Sequence, residues 1–356
     1  MRRRVGGILL VFILLIGLSV SCSKSNETQP MENKDKKSEI QIGIIFDTFV
    51  LERWTRDRDV FVSTVQKMGA EADVQNAGGD VNKQKEQIRR FIEQKVDTIV
   101  IVAVDCFALS EEVEEARASG ITVISYDRLI QNSVTDLYIT VDNEQVGREM
   151  GKNIISELPA GGKVVMICGP EADTNSLEVA KGFEEEIAGT NLEIVSKTHV
   201  QSWISENGFR AVNEVIRTVP EFDAIMCGND GFAGYVIKAL SEQQMADKVA
   251  VTGQDADIEA CQRIVEGTQS MTVYKPIEEL ASTTAECAVE LAKGEALDEK
   301  IREGMGEKET ETGKKVPYYK LMPVAVTADN IDEVIINSGF HLHDEVYLNV
   351  GETEIY

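Results

Sequence analysis

Residues 121–128 read ITVISYDR, a β-branched apolar run that stops on an adjacent acid and base, Asp127 and Arg128. The pattern recurs. Strand-like runs at 42–46, 225–228, 249–253 and 271–273 have, near their C-terminal ends, Arg53 with Trp54, Asn229 with Asp230, Asp255, and Lys275. Short apolar runs bounded by polar residues read as buried strands. In open α/β sheets the ligand crevice lies outside the carboxyl ends of the strands, so polar residues repeated at that end mark a site rather than a core. Carboxylates, amides, Arg and Lys bond to hydroxyl groups, and an indole offers a flat apolar face to a ring.

Outward from these runs, strand and helix patterns alternate, which predicts parallel sheets covered by helices on both faces. Strands near 41–46, 72–76, 97–104 and 121–126 are separated by helical stretches near 53–69, 82–94 and 108–119. Phe61, Val65 and Met68 share one helical face, as do Ile88, Phe91 and Ile92. A second series places strands near 163–168, 193–200, 223–227, 248–253 and 269–274, with helices near 176–188, 206–218, 231–243 and 256–267. The chain therefore reads as α/β, with two doubly wound units. Beyond them come a helix near 277–293, a Glu- and Lys-rich stretch at 294–315 read as a solvated loop, a strand over 318–326 and a short helix over 331–337.

Arg2, Arg3 and Arg4 precede an uncharged apolar stretch over 5–20, and Ser19, Val20 and Ser21 lead into Cys22. That is the order of an export signal, and its small residues before a cysteine predict a lipoprotein leader at 1–21 with Cys22 as the lipid-bearing first residue. Leu18 stands one place upstream of its usual position in that pattern. Residues 22–39 are polar and lack apolar periodicity, which suits a flexible tether. Residues 1–21 hold three of the 36 basic residues and none of the 61 acids, so their removal takes the net charge from −25 to −28. Nucleic acid is excluded as a partner, because phosphate recognition needs basic patches. Cys106, Cys168, Cys227, Cys261 and Cys287 sit in apolar surroundings without C-x-x-C spacing and read as buried thiols.

The segments LERW at 51–54 with RDRD at 56–59, YDR at 126–128, DNE at 142–144, GQDAD at 253–257 and MTVYKP at 271–276 together resemble the type I periplasmic sugar-binding proteins, in particular the D-xylose-binding branch. The resemblance keeps the same order from residue 40 to residue 340. It implies two doubly wound parallel-sheet lobes, 40–142 plus 276–322 and 143–275 plus 323–349, joined by three crossover segments. These fall near Asp142 and Asn143, Lys275 and Pro276, and Met322 and Pro323. It also implies sugar contacts at Arg53, Trp54, Asp127 and Arg128 in the first lobe. Asp173, Asn175, Trp203, Asn229 and Asp255 follow in the second, with Lys275 at a crossing. The set is chemically coherent, since acceptors such as Asp127, Asp173 and Asp255 stand beside donors such as Arg53, Arg128 and Lys275, and a dry cleft requires both.

Several of these residues have structural readings as well. The alternating charges of Arg53, Arg56, Asp57, Arg58 and Asp59 suit a solvated helix face with internal ion pairs, and Arg56 to Asp59 are assigned that role. Asp127 with Arg128 could be a strand-end ion pair, and Asn229 a helix N-cap. His199 reads as a surface or cleft-edge residue, and His341 and His343 have no partner pattern for a metal. The phosphate-loop, dinucleotide, nucleophile-elbow and H-E-x-x-H patterns are absent. Acids interleaved with Arg, Lys and Asn hold a ligand and do not raise one carboxyl for proton donation. No enzyme, cofactor or metal is expected. The resemblance implies an extracytoplasmic monosaccharide receptor, most consistent with D-xylose among sugars that include glucose, ribose and arabinose. Its protein partner is an ABC importer permease or, alternatively, the ectodomain of a sensor kinase.

Overall fold

The computed structural model describes residues 39–350. The leader and Cys22, and the tether up to residue 38, lie outside the described residues. In the first part of the chain, β1 (Gln41–Phe46), α1 (Arg53–Lys67), β2 (Glu71–Asn76), α2 (Val81–Gln94), β3 (Thr98–Ile101), α3 (Ser110–Ala118), β4 (Thr122–Tyr126) and β5 (Leu137–Val141) alternate. The second part holds α4 (Asn143–Glu157), β6 (Gly162–Cys168), α5 (Thr174–Ile187), β7 (Leu192–His199), α6 (Glu206–Thr218), β8 (Ala224–Cys227), α7 (Asp230–Glu242), β9 (Ala250–Thr252), α8 (Ile258–Val265) and β10 (Thr272–Tyr274). The chain closes with α9 (Ile277–Lys293), α10 (Glu299–Gly304), β11 (Gly306–Glu309), β12 (Lys315–Leu321), β13 (Val324–Val326), a π-helix at Asp332–Ile336 and α11 (His343–Val346).

The strands form a seven-stranded sheet in the order β11-β12-β5-β4-β3-β1-β2 and a four-stranded sheet in the order β7-β6-β8-β9. All pairs in both sheets are parallel except β11 with β12. A parallel Thr252–Met271 bridge carries the second sheet on to β10, which pairs antiparallel with β13. Central strands such as β3, TIVI, are buried along their whole length, as expected of parallel strands with helices on both faces. In the first sheet α1 packs on α9, so a helix late in the chain covers early strands. Where α4 crosses α5, a Cβ on Gly147 would fall 2.0 Å from Val179 O and one on Gly182 1.9 Å from Glu144 O. Only glycine permits that approach.

The fold class expected from sequence is observed, and three details differ. β5 and α4 lie between the two series that the sequence pattern delineates; β5 is five wholly buried residues, LYITV, reached through a long polar loop. The stretch at 294–315 is structured: α10 and β11 occupy it, and β11, sequence GEKE, is a strand only because β12 offers it an edge. Its charged, exposed side chains suit an edge strand. The strand expected over 318–326 is two strands, because Pro323 lacks an N–H and the segments on either side of Met322 and Pro323 join different sheets. Each of the cysteines from Cys106 to Cys287 is buried with a free thiol.

Candidate functional site

Helix starts and strand ends bring the polar residues together. Asp127 and Arg128 follow β4, Asp173 follows β6, Asn229 follows β8, Asp255 follows β9 and Lys275 follows β10, while Arg53 and Trp54 open α1. Two of them also cap helices: Asp173 accepts from Asn175 N at 3.0 Å at the start of α5, and Asn229 Oδ1 accepts from Phe232 N at 2.9 Å at the start of α7. Such caps satisfy amides that the first helical turn leaves free. Asn229 is therefore held by its oxygen with its Nδ2 directed elsewhere.

Nine of the ten residues expected at the ligand form one connected network. Arg53 Nη2 lies 3.0 Å from Asp127 Oδ1 and 3.4 Å from Asp57 Oδ1, and its Nη1 is 4.0 Å from Asp255 Oδ1. Asp255 Oδ1 is 3.1 Å from Lys275 Nζ. From the other sheet, Asn175 Nδ2 donates to Asp127 Oδ2 at 2.9 Å while Asn175 Oδ1 accepts from Asn143 Nδ2 at 2.9 Å. Arg128 Nη1 donates to Asp47 Oδ2 at 2.7 Å and to Ala103 O at 2.8 Å, and its Nε lies 2.8 Å from Asp173 Oδ2. Trp203 Nε1 donates to that same Asp173 oxygen at 3.0 Å. The Arg53 and Arg128 guanidiniums lie 4.2 and 5.7 Å from the Trp54 ring. No hydrogen bond or ion pair links Asn229 to the other nine; it stands beside Trp203 through Phe232, on which the Trp203 indole stacks at 5.5 Å.

All of these side chains except Trp203, which is half-buried, are almost completely enclosed. Arg53 Nε, Trp54 Nε1 and Asn229 Nδ2 are enclosed donors without a hydrogen-bond partner, and Asp255 Oδ1 accepts no well-aligned bond. Each of these unpartnered donors costs about 1–3 kcal/mol, which a ligand with several hydroxyls would offset. Two site carboxylates also sit on backbone that side chains avoid: φ is 64° at Asp127 and 99° at Asp255, followed by 54° at Ala256. Such conformations persist where surroundings fix them and cluster at functional sites. At Asp127 the carbonyl is held by Thr140 Oγ1 at 2.7 Å and Tyr138 Oη at 3.3 Å, both donating.

Five carboxylates, Asp47, Asp57, Asp127, Asp173 and Asp255, face three cations, Arg53, Arg128 and Lys275. Burial opposes ionising Asp127, but Arg53, Lys275 and Arg128 outweigh it and hold that carboxyl below its ordinary range. At Asp57 burial prevails over Arg53 and pushes the carboxyl up to about 6; at Asp173 and Asp47 it likewise prevails over Arg128. A site with surplus acid repels an anionic ligand and suits a neutral one that donates hydrogen bonds.

The assignment of Arg56 to Asp59 to a solvated face is corrected by this geometry. Asp57 is fully buried, one helical turn from Arg53, and accepts from the Tyr126 hydroxyl. Arg56 donates to Phe340 O at 2.9 Å and lies over the Phe340 ring at 4.2 Å, leaving Arg58 and Asp59 as the exposed pair. Asp57 had a readable signal, since i,i+4 spacing puts it on the face of Arg53. Asp47 had one too, as it ends the first strand run. Tyr126 and Asn143 stand in the YDR and DNE segments, which carry the resemblance without assigning either residue a contact. His199 is half-buried with Nδ1 2.9 Å from Gly169 O, and buried His341 places Nε2 2.8 Å from Ala256 O. A Cβ on Gly169 would fall 2.2 Å from the Trp203 ring, so that glycine gives the indole its seat.

Residues 42–296 match the family model described as periplasmic binding protein domain. The chain is 40% identical over 314 residues to the D-xylose-binding periplasmic protein of Haemophilus influenzae, covering 87% of this chain and 92% of that one. It is 37% identical over 318 residues to the D-xylose-binding periplasmic protein of Escherichia coli, covering 86% and 93%. Among solved structures, an ABC transporter solute-binding protein from Clostridium phytofermentans with bound β-D-glucose superposes with a TM-score of 0.79 at 28% identity, over 86% of this chain and 99% of that one. On the alternating two-sheet architecture and on these matches, the chain belongs to the periplasmic binding protein family, in its type I form.

Proposed function

We propose that the protein is an extracytoplasmic receptor for a neutral monosaccharide, D-xylose, which it captures by closing two lobes and delivers to an ABC importer. The observation that carries this reading is the enclosed network in which donors and acceptors from both sheets meet, with Arg53 Nε, Trp54 Nε1 and Asn229 Nδ2 free to bond. Arg53, Trp54, Asp127, Arg128, Asp173, Asn175, Trp203, Asn229, Asp255 and Lys275 are the proposed contacts. Carboxylates take hydroxyl protons, the cations and amides donate, and the indoles pack on C–H faces. The relatives named for D-xylose support the choice of sugar. The lobes divide at 142, 275 and 322, a reading supported by β12 pairing with β5 while β13 pairs with β10. Closure is driven by the sugar bridging the lobes, since a ligand shifts a conformational equilibrium only by its differential affinity for the two states. Cys22 anchors the receptor through lipid at the cell envelope. Titration calorimetry against pentoses and hexoses tests the reading: D-xylose should bind with a micromolar or tighter dissociation constant, about −8 kcal/mol or more favourable. Saturable binding of glucose or ribose without xylose heat would overturn the choice of sugar.

A further inference from the structure

The β11–β12 hairpin, which the sequence disguises as a loop, reaches across to the helix that opens at the site. Lys308 Nζ on β11 lies 2.7 Å from Glu178 Oε1 on α5, with the two side chains 29% and 18% exposed. Lys308 belongs to the edge of the seven-stranded sheet, whereas α5 packs on β6 of the four-stranded one. Glu178 stands three residues after Asn175, so one stretch of helix face carries both cross-sheet contacts: Asn175 to Asp127 and Glu178 to Lys308. A second connection runs behind them. Lys308 Nζ is 5.8 Å from the Tyr318 ring centroid, Tyr318 stacks on Tyr138 at 5.1 Å and 21°, and the Tyr138 hydroxyl donates to Asp127 O at 3.3 Å.

We propose that Lys308 and Glu178 are positioning residues that set sugar affinity from outside the site, as a latch between the two lobes. The idea rests on the closure reading above. The pair exists only while α5 and the hairpin are together, so its free energy belongs to the closed state alone. Apparent affinity rises by the factor through which it favours that state. Tyr318 and Tyr138 brace the lysine against the strand that carries the Asp127 contacts, which aligns the latch with the site.

Calorimetry and stopped-flow dissociation on the full chain test this with D-xylose, D-glucose, D-ribose and L-arabinose. For whichever sugar the wild type binds, Lys308→Gln and Glu178→Gln should each raise the dissociation constant about three- to six-fold, through faster dissociation, with sugar-free melting unchanged. The exchange Lys308→Glu with Glu178→Lys should recover most of the loss, while Lys308→Glu alone should be worst. High salt should weaken the wild type more than either Gln variant. Wild-type binding with unaltered constants in the variants, or an exchange no better than its parts, refutes the latch alone. A wild type that binds none of these sugars refutes the receptor reading and the latch with it.

Discussion

Asp57→Asn should remove a defined part of the pH dependence of stability. Asp57 is fully enclosed between Arg53 and the Tyr126 hydroxyl, and burial raises its carboxyl from an ordinary 3.8 to about 6 in spite of Arg53. A carboxyl raised in the folded state stabilises while it is protonated. That contribution is whole below the unfolded value and is lost as pH rises through the folded one. The displacement is about two pH units at roughly 1.4 kcal/mol each, so the wild type should lose about 3 kcal/mol across the window. Asparagine keeps an acceptor for Tyr126 and cannot ionise. Urea unfolding of both proteins at a series of pH values between 4 and 7 gives the difference directly, because Asp47, Asp173 and Asp230, whose carboxyls burial also raises, titrate in both and cancel. The wild type should fall relative to the variant as pH rises toward 6 and run parallel to it above. Curves parallel throughout would show that Asp57 is already ionised at the acid end and that the account of its burial is wrong.

Other predictions concern the site and the anchor. Arg128→Ala and Asp255→Ala should each weaken sugar binding by about 2–5 kcal/mol, since they leave Asp47 and Asp173, or Lys275, buried without their partner; calorimetry should find Asp59→Ala, at an exposed pair, unchanged. Trp54 and Trp203 are the only tryptophans, and intrinsic fluorescence should respond to sugar, with Phe at either position removing part of the signal. A sugar response that survives intact in both variants would remove the indoles from the site. Cys22→Ala should abolish lipid labelling in a host that processes lipoproteins; unchanged labelling and mobility would exclude Cys22 as the acceptor.

The alternation of strands and helices was legible because each central strand is apolar throughout and each ends on polar residues. ITVISYDR shows both features in eight letters. Helix α9 was legible for similar reasons, with an apolar face between Pro276 and Gly294. β11 was not. GEKE has no apolar periodicity, and its strand character comes from the hairpin partner β12 that follows it. The buried network of the candidate site was legible where chemistry coincides with a strand end, as at Asp127, Arg128 and Asp255. It was only half legible where a charge is buried by tertiary packing: spacing puts Asp57 on the face of Arg53 but does not give its depth. Arg56, Asp57, Arg58 and Asp59 look alike in sequence, yet Asp57 alone among them turns into the core, because Tyr126 and Arg53 await it there. The positive φ at Asp127 and Asp255 also has no local signal, since neither is a glycine and both are set by strands pairing around them.

The order in which the sheets acquire their strands bears on how the chain is made. After β5 the polypeptide builds β6 to β10 before β12 arrives to pair with β5, and β13 then returns to pair with β10. Synthesis from the N-terminus therefore leaves the seven-stranded sheet without β11 and β12, and β10 without its partner, until the last strands have emerged, and no single cut yields two fragments that each hold a whole sheet. Pairings so distant in sequence form slowly. β12 and β13 flank Met322 and Pro323, so one short late segment finishes the seven-stranded sheet and supplies the partner of β10 within a few residues.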